Sequence, residues 1–275
     1  MTTALRPLST GELLDRTFSL YRSHFGLFVG IFALPHLVVL AFQCVGVAVR
    51  NPGNQLADLG AQFFFSMGAA FLTVICSAAS QAATVVAVSH VHLDRPASVS
   101  DSFSRVKGEI WGVIGLSMLV GLGIGAGFIA LIVPGVLLAL MWSLAVPVKI
   151  LENKGVTDAM SRSSDLTKGD RGRIFVIWLL FFLLAIAISL LLRWPVEIAA
   201  GVSSIAGMQR SSGGWQVALL VSTYVSECLV GPLGTIAFSL VYYDERVRKE
   251  AFDLQLMMTT LDASALPVSP AQAGA

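Results

Sequence analysis

The chain has 275 residues, of which 55% are apolar and only 13% charged, with a formal net charge of +1 and a mean hydropathy of +0.77. Soluble domains carry about 25% charged residues, and disordered chains are richer in charge still and poor in aromatics. Three cysteines exclude a disulfide-built secreted scaffold. The composition is that of an integral membrane protein.

In chain order, the charged residues leave long gaps. None occurs in 25–49, 59–93, 110–148 or 174–192, and Glu227 is alone in 211–243. A helix needs about 20 apolar residues to cross about 30 Å of hydrocarbon, and its backbone must satisfy itself there. Runs such as 175–192 do not alternate in polarity, so strands of a barrel are excluded. The 39-residue gap is too long for one span, and Val133-Pro134-Gly135 near its middle predicts a turn. The 35-residue gap has no proline, only a polar patch from Ser77 to Gln81.

Basic residues decide how to count that gap. As one long, tilted span, it leaves fifteen lysines and arginines on one side of the membrane and three, Arg50, Arg193 and Arg210, on the other. The expected fold is therefore all-α and polytopic, with six transmembrane helices at about 25–49, 61–93, 110–132, 134–150, 174–192 and 216–243. Residues 1–262 form the membrane domain and 263–275 a disordered Pro/Ala/Ser tail. Both termini are expected in the cytoplasm and the location is the cytoplasmic (inner) membrane. The first apolar run is too long for a cleavable signal and lacks a small-residue cleavage site.

A local pattern recurs before spans one, three and five. Ser9 with Glu12 and Arg16, Ser98 with Asp101 and Arg105, and Gly155 with Asp158 and Arg162 each place an acid three residues after a helix start and an arginine four further on. This predicts a capping box and an i,i+4 ion pair. In the first copy Leu14, Phe18, Tyr21 and Phe25 share one face, as in a helix lying along a membrane surface. The expected unit is an interfacial amphipathic helix followed by a transmembrane hairpin, three times over.

Three segments carry a resemblance. LRPLSTGELLDRTFSLYRSHFGLFVGI (5–31), the stretch 143–175, and LVYYDERVRKEAFDLQLM (240–257) resemble the bacterial membrane-protein family named after the membrane domain of glycerophosphoryl diester phosphodiesterase. The resemblance implies fold and location. In the namesake hydrolysis belongs to a separate barrel of about 250 residues, and no segment here has room for one.

Glu227, between Tyr224 and Pro232, is the principal candidate residue. A carboxylate in hydrocarbon must face the bundle or water and find a partner. Gln81 and His36 are the expected partners in a candidate intramembrane polar site. Arg246, Arg248 and Lys249, after the Tyr242-Tyr243 pair, are candidate lipid-headgroup contacts, toward anionic lipids in particular, although Asp244, Glu245 and Glu250 are i,i+4 spaced to balance them. Gly121, Gly123, Gly125 and Ala126 fit a dinucleotide-binding glycine pattern, but no strand precedes them. Gly121 with Gly125 and Gly123 with Gly127 instead have the spacing for close helix packing, within the bundle or between homo- or hetero-oligomeric subunits. His90 and His92 do not share a helix face, and Cys44, Cys76 and Cys228 read as apolar filler.

No catalytic, cofactor or metal-ligand set is expected, nor a nucleic-acid partner. The leading expectation is a non-catalytic bundle organising a membrane complex or lipids. The alternatives are a small transporter or channel using Glu227, which requires a polar cavity reaching that residue, and a membrane-embedded lipid enzyme.

Overall fold

The computed structural model describes residues 8–49, 55–92, 95–205, 213–250 and 258. Arg50, Asp94, Arg210 and the tail 263–275 lie outside them. Among the described residues the chain is helical without a strand: α1 Thr10–Ser23, α2 Phe25–Ala48, α3 Gln55–His92, α4 Val99–Val106, α5 Ile110–Ala130, α6 Ile132–Met141, α7 Ala145–Glu152, α8 Val156–Thr167, α9 Arg171–Ile205 and α10 Gly213–Glu250. Six stretches are long and apolar enough to cross a membrane: α2, α3, α5, α6 with α7, α9 to Val202, and α10.

The helix starts follow local chemistry. Ser9 accepts from the Glu12 backbone while the Glu12 carboxylate accepts from the Ser9 backbone, a complete capping box. Ser98 likewise accepts from Asp101 N and donates to the Asp101 carboxylate. The third copy has Gly155 at the cap and no side-chain bond. Its arginine, Arg162, turns to Glu152 and Glu250 on other helices.

Two boundaries differ from expectation. The turn in the long apolar gap falls at Leu131, which is extended (φ −168°, ψ 157°), rather than at Val133-Pro134-Gly135. Pro134 sits in the first turn of α6, where its missing N–H removes no helical bond. Span five does not end at Arg193-Trp194-Pro195: α9 runs on through Pro195 to Ile205, and Arg193 pairs with Glu197 across the proline at 3.3 Å.

Span four carries an interruption that periodicity does not show. It breaks between Met141 and Ala145 because Pro147 cannot donate to the carbonyl of Ser143. Ser163 of α8 fills the gap, donating to Met141 O (2.7 Å) and accepting from Leu144 N (3.2 Å), and it is fully buried. Ser163→Ala strands both backbone groups, an expected loss of about 1–3 kcal/mol; a melting curve in detergent identical to wild type would refute this role.

Packing centres on α3, which touches α2, α4, α5, α7 and α10. Its Ala78–Val88 stretch is almost wholly buried small residues, so neighbours approach closely. The core gathers Leu13, Phe28, Ile31, Ile177, Ile236 and Tyr242, with others from the same helices. On α1 the buried face is Leu13 and Thr17, one residue round from the expected stripe, and Phe18 is exposed. The proline of α2 is matched by a hydroxyl from another helix. Pro35 leaves Ile31 O without its helical donor, and Ser80 of α3 supplies one at 3.2 Å. Tyr224 donates to Ala33 O, and Tyr21 donates to Leu229 O just before Pro232. Burial pushes the Tyr21 hydroxyl up to about 12, so it stays a neutral donor.

Candidate functional site

The three residues picked from the sequence line one cavity. Its volume is about 300 Å³, and His36 from α2, Ser77 and Gln81 from α3, Ser189 from α9, and Ser226 and Glu227 from α10 contribute its polar groups. Ser77 and Gln81 are four apart and so share a face of α3. Ser189 and Ser226 are hydrogen bonded at 2.8 Å and join α9 to α10 along one wall.

His36 is held on every side. Its Nδ1 lies 2.9 Å from Phe32 O, and a carbonyl only accepts, so Nδ1 carries a proton. The neutral ring therefore presents Nε2 as its acceptor. Nε2 faces Ser77 Oγ at 3.3 Å and Glu227 Oε2 at 4.0 Å. The Phe32 ring stacks on the imidazole with centroids 5.7 Å apart and planes 14° apart. Gly231 makes that stack possible, since a Cβ there would come within 2.3 Å of the Phe32 ring. The His36 side chain is 3% exposed and that of Glu227 44%, so the carboxylate lies at the open side of the cavity and the imidazole behind it.

At 4.0 Å the imidazole Nε2 and the Glu227 carboxylate face each other without a direct hydrogen bond. A second cavity of about 240 Å³ shares Gln81, Gly231 and Thr235 with the first and is otherwise lined by Ser143, Val146, Pro147, Gly234 and Phe238. Together they follow α3 and α10 toward the end of the bundle that holds α1, α4 and α8. The interrupted segment between α6 and α7 borders this second cavity through Ser143.

Ser189, Ser226 and Thr235 escaped the sequence reading. An isolated hydroxyl in an apolar run ordinarily bonds its own helix, as Thr235 does to Gly231 O and Ser239 to Thr235 O, and nothing in the sequence separates those from the pair that bridges two helices.

The basic candidates at the end of α10 are engaged by the protein. Arg246 donates to Glu250 and Tyr242. Arg248 donates to Asp244 and Leu8 O. Lys249 donates to Leu166 O and Lys168 O at the C-terminal end of α8, and lies 3.8 Å from Glu245. A Cβ at Gly121 or Gly125 meets no atom within 4 Å, whereas Gly123 lies against Trp142 and Gly127 against the Gly135 backbone. Among the described residues no three His, Cys, Asp or Glu side chains are grouped to hold a metal ion. Compared with known proteins, the chain matches no family model, no curated sequence and no solved structure.

Proposed function

We propose that the chain is a multi-pass membrane protein that moves protons, or a small solute coupled to them, through the Glu227–His36 site. The supporting observation is the polar cavity around Glu227, the feature that separates a transporter from a packed organising bundle. An intramembrane carboxylate opposite an imidazole with one fixed tautomer is a two-state proton site, and the adjoining cavity at Gln81 and Thr235 supplies a polar continuation.

The proposal includes a topology. α2–α3, α5–α6/α7 and α9–α10 are three hairpins, each preceded by an interfacial helix, α1, α4 or α8, with both termini in the cytoplasm of an inner-membrane protein. The capping pattern and the fifteen-to-three basic asymmetry support this. Membership of the family resembled by 5–31, 143–175 and 240–257 belongs to the same proposal, as does association of copies over the open Gly121–Gly125 face.

The test is proton flux into liposomes containing the full chain, followed with an internal pH-sensitive dye, beside a melting curve. Wild type should carry flux above protein-free liposomes. Glu227→Gln keeps the shape and removes the titratable group, so flux should fall to background with the melting temperature unchanged. Equal flux in the two proteins, or none in wild type, would return the chain to the organising-bundle reading.

A further inference from the structure

We propose that a separate cavity, between the ends of α3 and α7 and the α4–α5 junction, binds the headgroup of an aminophospholipid, its phosphate on Arg105 and its ammonium on Glu109. The cavity has a volume of about 390 Å³. One part of its wall is apolar, with Val106, Ile150 and Leu151; the other is polar, with His90, Arg105 and Glu109. A two-faced wall fits an amphipathic ligand.

Its position fits a lipid. α3 ends at His92, α7 ends at Glu152 and α5 begins at Ile110, so three membrane-length segments terminate around it. Trp111, beside Glu109, is 79% exposed, as interfacial tryptophans are. Arg105 is exposed and makes no ion pair among the described residues, unlike Arg246, Arg248 and Lys249, whose donors the protein itself takes up.

The chemistry of the pocket selects the headgroup. Glu109 accepts from the buried Lys149 at 3.0 Å, yet its side chain is 45% exposed, which leaves carboxylate surface facing outward. Lys149 lies over Gly112, where a Cβ would come within 2.6 Å of it, so the glycine gives the lysine its place and the lysine fixes Glu109. A purely anionic headgroup would set phosphate against that carboxylate. A phosphodiester that also carries a primary ammonium satisfies both signs and donates N–H bonds to the carboxylate, whereas a choline matches the sign but has no N–H to donate.

The experiment is native mass spectrometry of the full chain in detergent with added phosphatidylethanolamine, phosphatidylcholine or phosphatidylglycerol. Wild type should retain the ethanolamine lipid preferentially. Arg105→Ala should lower retention of all three about tenfold, the loss of one charge-assisted contact. Glu109→Gln should erase the preference for ethanolamine over choline while phospholipid still binds. Lys107→Ala, at an exposed cation that does not line the cavity, should change nothing. Unchanged retention in Arg105→Ala, or equal loss in Lys107→Ala, would overturn the proposal. Displacement of the lipid by millimolar inorganic phosphate would assign the cavity to a soluble phosphate and overturn it likewise.

Discussion

Replacing Arg173 with alanine is expected to destabilise the chain by about 3–5 kcal/mol, the loss typical of removing one partner from a buried ion pair. Arg173, at the start of α9, donates to Asp244 and Glu245 of α10 and to the Leu8 carbonyl before α1. The Asp244 and Glu245 side chains are both 0% exposed. Without the guanidinium, Glu245 keeps, among the described residues, only the ion pair with Lys249 at 3.8 Å, and Asp244 keeps Arg248 and the Leu8 N–H. The start of α9 would lose its tie to the start of α1 and the end of α10, which stay bonded to each other through Leu8. The measurement is folded fraction against denaturant in detergent for Arg173→Ala and for Arg173→Ala with Glu245→Gln. The double variant should recover part of the loss, because one buried charge goes with its partner. A single variant as stable as wild type would show that the cluster is solvated and contributes little.

The second large effect is expected at Gly127. A Cβ there would sit 2.9 Å from the Gly135 Cα and 3.1 Å from its nitrogen. These are backbone atoms and cannot rotate away, so α5 and α6 would have to separate. Overpacking of this kind costs about 1–3 kcal/mol, and Gly127→Val, with two further methyl groups, should lie at or above the top of that range. Gly115→Val serves as the control. It lies on the same helix with open space around it, and its substitution should not shift the melting curve of the detergent-solubilised chain. Equal losses at both positions would indicate helix propensity rather than a close helix contact.

The gross architecture was legible because the membrane imposes one strong rule. Every backbone polar group must be paired inside the segment, so a long charge-free run has to be helical. The single helix across the 35-residue gap followed from charge asymmetry alone, and α3 is continuous from Gln55 to His92. Glu227, His36 and Gln81 stood out for the same reason, as polar groups where polar groups are expensive. That they line one cavity depends on how α2, α3 and α10 are rotated against each other, which hydropathy does not encode. The hydroxyls were invisible: Ser163 in the α6–α7 break, Ser80 on the carbonyl freed by Pro35, Ser189 against Ser226. Each looks in sequence like any small residue and acquires its role only from a partner on another helix.

By itself the sequence determined six apolar membrane-length helices, their order, and the three short helix starts, because local spacing and backbone desolvation are enough to specify them. Only the tertiary structure decided the rest. It tied the cations at the end of α10 to neighbouring protein groups, ran α9 through Pro195, broke span four ahead of Pro147 with Ser163 to fill the gap, and brought His36 and Gln81 to one cavity with Glu227 at its open side. In each case a proline or a charge makes an unmet demand that several positions could answer, and which one does is fixed by the packing of distant helices.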